Sequence, residues 1–196
     1  MRKASIFLTA ALFAGIASAG HAQDSAFRPA TDGSSTLVHV ESGTKFPLTV
    51  AGFERTGEAA FDGRGDYVSV GYRSTLPDGS PVTLRLAVAH VAQMTPREHF
   101  IIAKPMVLDG LSDVKTVVER AYQRPDNKAD GYIGIYDARD GDRKIGVGLW
   151  TFERGYWDLR GRVEFPYGKR KQAQAAVDGF VDAFVALAQP YSEPKR

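Results

Sequence analysis

The chain has 196 residues, of which 25 are Lys or Arg and 23 are Asp or Glu, and it contains no cysteine. The missing cysteines exclude a disulfide-stapled scaffold, and the length suits one domain with a full-sized core. Both excess positive charges belong to Arg2 and Lys3, so the rest of the chain has no net charge. A neutral chain lacks the broad basic field of a non-specific nucleic-acid binder, so no nucleic-acid partner is predicted.

The first 22 residues have the three parts of a secretory signal peptide. Arg2 and Lys3 are charged, residues 6–16 form a short apolar run, and small residues precede a cleavage point near Ala22. The run is shorter than the ~20 apolar residues that span a bilayer, and no later stretch reaches that length. We expect a periplasmic or secreted protein with no transmembrane segment in the mature chain; an uncleaved anchor is the alternative.

The rest of the chain divides into three parts. Residues 23–35 are polar, turn-rich and aperiodic, which predicts a flexible lead-in. Residues 36–190 contain the periodic segments and are expected to form a single α+β domain. Residues 191–196 follow the helix-ending Pro190 and are expected to form a tail.

The first half of the domain consists of short strand-like runs separated by turn residues. Pro77-Asp78-Gly79 has the composition of a β-turn and predicts a hairpin around it. The segment at 46–50 is interrupted by proline and is expected at an edge or in a connector. The strands or extended segments predicted in this half are 36–41, 46–50, 53–61, 67–73 and 82–91.

Thr95-Pro96-Arg97-Glu98 is the clearest local signal in the chain. Its threonine can cap the free amides of a helix, its proline suits the first helical position, and its glutamate completes a capping box. A helix is predicted from there towards Asp109, kinked at Pro105 and ended by Gly110.

Residues 107–123 fit two structures. Their apolar residues have helical spacing, whereas the β-branched cluster at 114–118 favours a strand. Because Gly110 makes a natural break before the cluster, we prefer a strand over residues 113–123.

Three more strands and a helix complete the domain. After a loop at 124–128, strands are predicted at 132–136, 144–152 and 156–165. The last of these alternates strictly, as a half-buried strand does. Its apolar face has Trp157, Leu159, Val163 and Phe165, and its polar face has Asp158, Arg160, Arg162 and Glu164. The final helix begins after Gly168 and has an apolar stripe at three- and four-residue spacing. The residues of this stripe are Ala173, Ala176, Val177, Phe180, Val181, Phe184, Leu187 and Ala188.

This order of elements predicts an α+β fold. Long runs of strands with helices between them favour a mostly antiparallel sheet of about six to eight strands, arranged as meanders, rather than a parallel βαβ fold. The mid-chain helix and the amphipathic C-terminal helix are expected to pack on this sheet.

One stretch suggests a known group of proteins. Gly155-Tyr156-Trp157, Arg160-Gly161-Arg162 and Phe165-Pro166 resemble a group of uncharacterised exported bacterial α+β proteins. The order of elements is also similar to PsbP-like α/β/α sandwich domains, over most of the mature chain. This resemblance implies an accessory or partner-binding module, and it transfers an architecture but no functional residues.

Metal-binding patterns are weak. His39, His90 and His99 are too few and too widely spaced for a zinc site. The aspartates from Asp137 to Asp142 surround a turn, but they lack the spacing and the closing glutamate of a calcium loop. We interpret all of them as ordinary strand, helix and turn residues, and we predict no metal and no cofactor.

Catalytic patterns are equally weak. Ser-x-x-Lys occurs at Ser42 and Lys45 and again at Ser112 and Lys115, but the partner motifs of serine acyl-transferases are missing. The sequence also lacks a nucleophile elbow, a phosphate loop and a dinucleotide fingerprint. No catalytic residue is assigned, and a non-enzyme is preferred.

One basic cluster conflicts with its local environment. Three cations begin the last helix, where the helix dipole disfavours positive charge, and such conflicts sometimes mark function. Together with two strand arginines and a tyrosine they could bind an anion; the alternative is a solvated charged face. This predicted anion corner consists of Arg160, Arg162, Tyr167, Lys169, Arg170 and Lys171.

Three hypotheses about function follow. The first is a non-enzymatic accessory protein that binds an envelope protein. The second is a carrier of a small or anionic ligand, with a sheet–helix pocket walled by Trp150, Trp157 and Phe180 and rimmed by Arg160 and Arg162. The third is an unrecognised hydrolase, which would need a cavity that brings a histidine beside a carboxylate.

Overall fold

The computed structural model describes residues 26–60, 65–91, 94–123, 130–154 and 156–187. The signal peptide predicted at 1–22, the loop at 124–128 and the tail at 191–196 lie outside these residues. The single-domain boundaries at 36 and 190 therefore stay predictions.

The described residues form two antiparallel sheets and two helices, as the α+β prediction requires. The large sheet has eight strands in the order β4-β5-β6-β7-β11-β10-β9-β8, and the small sheet has the order β1-β2-β3. The helices are α1 (Pro96–Leu108) and α2 (Arg170–Leu187). The strands are β1 (Phe27–Pro29), β2 (Leu37–His39), β3 (Lys45–Phe46), β4 (Thr49–Val50), β5 (Phe53–Ala60), β6 (Tyr67–Thr75), β7 (Pro81–His90), β8 (Ser112–Gln123), β9 (Asp130–Asp140), β10 (Arg143–Arg154) and β11 (Trp157–Pro166).

The two helices lie on opposite faces of the large sheet. In β10, Trp150 and Phe152 pack in the cluster that contains α2, whereas Val147 and Leu149 pack in the cluster that contains α1. Because successive strand residues point to opposite faces, β10 contributes to both layers of the core. The molecule is a three-layer arrangement with the sheet in the middle.

The larger core lies between the sheet and α2. Phe180 packs edge-to-face against Phe53 and Tyr72, and it stacks on Phe184 at 5.7 Å. The alternation predicted for β11 puts its odd-numbered residues, such as Trp157, into this core. The apolar stripe predicted for the last helix is buried here up to Phe184, except that Ala176 is half-buried.

The smaller core lies between the sheet and α1. Thr95 caps the helix, and it forms the full capping box with Glu98, as predicted. Phe100, Ala103 and Val107 face β9 and β10. Pro105 lies inside the helix, which continues for three residues beyond it.

Two segments without a clear local pattern in the sequence form strands in the structure. Residues 112–123 form β8, so the strand preferred for this ambiguous segment is confirmed. The predicted lead-in contains β1, which pairs with β2 and places Phe27 6.1 Å from Phe46 in the core. Packing of the Phe27 ring on the core accounts for the ordered strand in this segment. The polar residues around Phe27 hide this signal in the sequence.

The strand β8 is a long edge of the sheet. Its pairing with β9 shifts register twice, between Ser112 and Lys115 and between Thr116 and Val118. Bulges of this kind twist an edge strand and disfavour its pairing with another chain.

Large rings pack directly over glycines in β10. A Cβ atom at Gly148 would collide with the buried ring of Trp150, and one at Gly146 would collide with Phe165. By contrast, a Cβ atom at Gly179, in the middle of α2, would meet nothing within 4 Å.

We expect Gly148→Ala to lower the free energy of unfolding by about 1–3 kcal/mol, because the Trp150 ring has to leave its packed position. Gly179→Ala is the matched control, and we expect it to raise the free energy of unfolding by about 0.5–1 kcal/mol, because alanine favours a helix. Urea unfolding of both variants measures these changes. A loss of stability at Gly179, or none at Gly148, would contradict the packing described.

Candidate binding site

On the sheet face where it packs, α1 covers only one half of the large sheet. Phe100, Ala103 and Val107 pack on β9 and β10, and His99 reaches Asp158 at the start of β11, while the rest of β11, β7 and β6 extend beyond the helix. On this uncovered part Thr83 and Arg85 are exposed, and Arg160 and Arg162 are half-buried. We call this region the open half of the sheet.

Two arginines stand directly opposite each other on the open half. Arg85 of β7 is the cross-strand partner of Arg162 of β11. Arg85 donates a hydrogen bond of 3.1 Å to Ser69 Oγ, and among the described residues it has no ion pair. Arg162 pairs with Glu164 at 2.6 Å and donates to the Val107 carbonyl at 3.3 Å.

A third arginine lies two residues away on the same face. Arg160 donates a 2.6 Å hydrogen bond to the Tyr67 hydroxyl, and its guanidinium lies 5.7 Å from the centre of that ring. Its other terminal nitrogen is 4.0 Å from Met106 Sδ on α1. Neither contact is with an acidic group. We call Arg85, Arg160 and Arg162 the arginine surface.

The predicted anion corner falls into two groups. Arg160 and Arg162 belong to the arginine surface, in the middle of β11. Tyr167, Arg170 and Lys171 lie beyond the end of that strand, where they line one surface cavity of about 590 Å³ with Asp137. Lys169 forms a 2.6 Å ion pair with Asp78 of the β6–β7 turn.

Arg85 is the residue that sequence reasoning missed. The alternation of β7 already puts Leu84 and Leu86 on one face and Arg85 on the other. The pairing of β7 with β11 cannot be predicted from local sequence patterns, because the two strands are far apart in the chain. That pairing alone brings Arg85 beside Arg162.

The structure also brings a histidine beside a carboxylate. His99 of α1 contacts Asp158 of β11, Nδ1 to Oδ1, and the two residues are 6% and 4% exposed. Burial lowers the pKa of His99 to about 4, and the Arg160 charge acts in the same direction; the Asp158 carboxylate opposes both. Because both groups are covered, we interpret this pair as a tie between α1 and the sheet.

A second buried histidine joins the small sheet to the large one. His39 Nδ1 lies 2.7 Å from Ser42 Oγ, and its Nε2 lies 2.7 Å from the Gly65 carbonyl oxygen. Ser42 in turn hydrogen-bonds Thr44 Oγ1 at 2.6 Å. A serine next to a histidine is a catalytic pattern when it is accessible. Here His39 and Ser42 are both buried, which indicates a structural network.

The sheet–helix pocket expected for the carrier hypothesis is filled. The cavity beside Trp150 and Phe180 has a volume of about 10 Å³, room for one water molecule at most. Arg160 and Arg162 lie on the opposite face of the sheet from Trp157, so they do not rim this space.

The described residues were compared with two further kinds of site, a metal centre and a membrane-spanning helix. No group of three or more His, Asp or Glu side chains there is placed to hold a metal ion. Neither α1 nor α2 has the length and apolar character of a membrane-spanning helix.

Comparisons with known proteins give distant structural likenesses only. The sequence matches no protein-family profile and no curated protein. The structure is similar to the cyanobacterial PsbP protein CyanoP of Synechocystis sp. PCC 6803, with a TM-score of 0.42, 10% identity, and coverage of 69% of this chain and 93% of that one. It is also similar to the Ran-binding protein Mog1p of Saccharomyces cerevisiae, with a TM-score of 0.36, 14% identity, and coverage of 70% and 96%. At these levels the likenesses have no bearing on function.

The buried histidine predicts a dependence of stability on pH. Because the pKa of His99 is about 4 in the folded protein and about 6.5 when unfolded, its contribution is complete above pH 6.5. The contribution is lost as the pH falls from 6.5 towards 4, and we expect the loss to be on the order of 1–3 kcal/mol.

Chemical denaturation of the wild type and of His99→Gln across this range measures the effect. Glutamine can still donate a hydrogen bond to Asp158 but does not titrate, so its stability should fall less steeply with acidification. Equal slopes for the two proteins would contradict the assignment.

Proposed function

We propose that this chain is an exported, non-enzymatic accessory protein that binds an acidic partner through the arginine surface. The observation that carries the proposal is the placement of Arg85 opposite Arg162 on the open half of the sheet. An anionic group bound there would give Arg85 the counter-charge that it lacks among the described residues.

The arrangement is costly without a partner. Like charges directly opposite each other on one sheet face are destabilising, by up to about 1 kcal/mol for an exposed pair. Glu164 compensates Arg162, but Arg85 has only the neutral Ser69 hydroxyl among the described residues. Guanidinium groups bind carboxylates and phosphates with two parallel hydrogen bonds, so three of them on one face form a receptor for clustered anions.

Export is part of the proposal because of the amino-terminal sequence. Arg2, Lys3 and the apolar run at 6–16 have the order of a signal peptide, with cleavage near Ala22. The partner would then be another envelope protein or a secreted one.

A second candidate is binding of a small anion in the cavity lined by Tyr167, Arg170 and Lys171. The volume of that cavity favours it, and the carboxylate of Asp137 in the same wall weighs against it. We therefore rank it below the arginine surface.

Binding of two anionic probes tests both candidates. We expect a glutamate-rich peptide and tripolyphosphate to bind the mature protein at low salt, and to bind less tightly as salt rises. Arg85→Gln and Arg162→Gln should each weaken binding by about tenfold or more, as calorimetry would show. Arg28→Gln, an equal change of charge at an exposed position of β1 in the small sheet, is the control and should leave binding unchanged.

Stability separates a binding role from a structural one. We expect Arg85→Gln to be as stable as the wild type or more stable by up to about 1 kcal/mol, because it removes a positive charge from the strand position opposite Arg162. Binding lost at Arg170→Gln instead of Arg85→Gln would favour the second candidate, and equal losses in all variants including Arg28→Gln would refute both.

A further inference from the structure

The outer side of α1 is unusually apolar. Ile101, Ile102 and Met106 are 56%, 54% and 61% exposed. Because Phe100, Ala103 and Val107 already fill the inner side, this helix is apolar on nearly every side. A helix of that kind is normally covered on its outer side as well, and clustered exposed apolar groups mark an interaction site.

The exposed apolar residues form two sides of α1. Met106 borders the arginine surface, because its sulfur contacts Arg160. Ile102 is four residues before Met106 and shares its side of the helix. Ile101 lies on the other side, in a cavity shared with Lys104, Glu119 and Tyr132 towards β8.

The geometry of the open half fits one more helix. Strands lie about 4.8 Å apart and a helix with its side chains is about 10–12 Å wide, so one helix covers about two strands. With α1 over β9 and β10, the next position in the same layer lies over β11 and β7. A helix there would touch Ile102 and Met106 with one stripe and the arginine surface with the adjoining stripe.

We propose that the open half of the sheet docks an amphipathic helix of the partner, with apolar residues facing α1 and acidic residues facing Arg85, Arg160 and Arg162. The inference rests on the proposed function and adds the shape and the apolar component of the partner. Charge complementarity selects this occupant over a basic or neutral segment. Ser69, which accepts a hydrogen bond from Arg85, and Ala87, opposite Arg160, are both buried, so a docked helix would meet the arginine side chains rather than the backbone.

The probe is a synthetic helical peptide of about 14 residues, or four turns, with a leucine stripe beside a glutamate stripe. Two comparison peptides replace the glutamates by lysine or the leucines by serine. Fluorescence anisotropy at physiological salt measures binding to the mature protein, and amide chemical shifts locate it.

The matched variants are two neighbouring isoleucines of equal exposure. We expect Ile102→Ser and Met106→Ser to weaken peptide binding by about tenfold or more, and Ile101→Ser to change it less than about twofold. The lysine peptide should not bind, and shifts should appear in β7 and β11. All three positions are exposed, so thermal unfolding should confirm an intact fold for each variant.

Several results would overturn the inference. They are no binding of the leucine–glutamate peptide, or equal effects of Ile101→Ser and Ile102→Ser. Tighter binding to vesicles of phosphatidylglycerol and phosphatidylethanolamine than to the peptide would indicate that the open half binds a membrane surface. A concentration-dependent dimer that Met106→Ser abolishes would indicate that it binds a second copy of this chain. If the serine-for-leucine peptide binds as well as the leucine peptide and still depends on Arg85, the helix inference fails while the proposed function stands.

Discussion

The strict alternation of β11 is the constraint on which both faces of the molecule depend. Its odd-numbered residues, from Trp157 to Phe165, enter the core under α2. The even-numbered residues face α1 and the open half. A shift of one residue in this strand would bury the arginines and expose the rings, so the register is strongly fixed.

The position of α1 is fixed by polar contacts with β11 and with its neighbour β10. His99 meets Asp158, the Pro96 carbonyl accepts a 2.8 Å hydrogen bond from Thr151, and the Val107 carbonyl accepts one from Arg162. Beneath the helix, Gly134 has no side chain, and the Phe100 ring occupies the space that a Cβ atom would need. These contacts hold α1 over β9 and β10, so that among the described residues no helix lies over the open half.

Local patterns were enough to predict most of the elements. The capping box at Thr95, the β6–β7 hairpin and the alternation of β11 depend on neighbouring residues, which the sequence displays directly. The faces and partners of these elements depend on pairings distant in sequence. The Arg85–Arg162 contact requires the β7–β11 pairing, and no local pattern specifies it.

The same distinction between local and distant contacts separates Lys169, in the predicted anion corner, from Arg85, in the arginine surface. Lys169 directly precedes α2, where the helix dipole disfavours a positive charge. Its ion pair with Asp78, which holds the pKa of that carboxyl at about 2, gives the charge a local partner. Arg85 has no such partner among the described residues and faces a second arginine. The positive charge of Lys169 is thus compensated within the described fold, whereas that of Arg85 is not, and this difference is the reason for proposing a binding surface at Arg85.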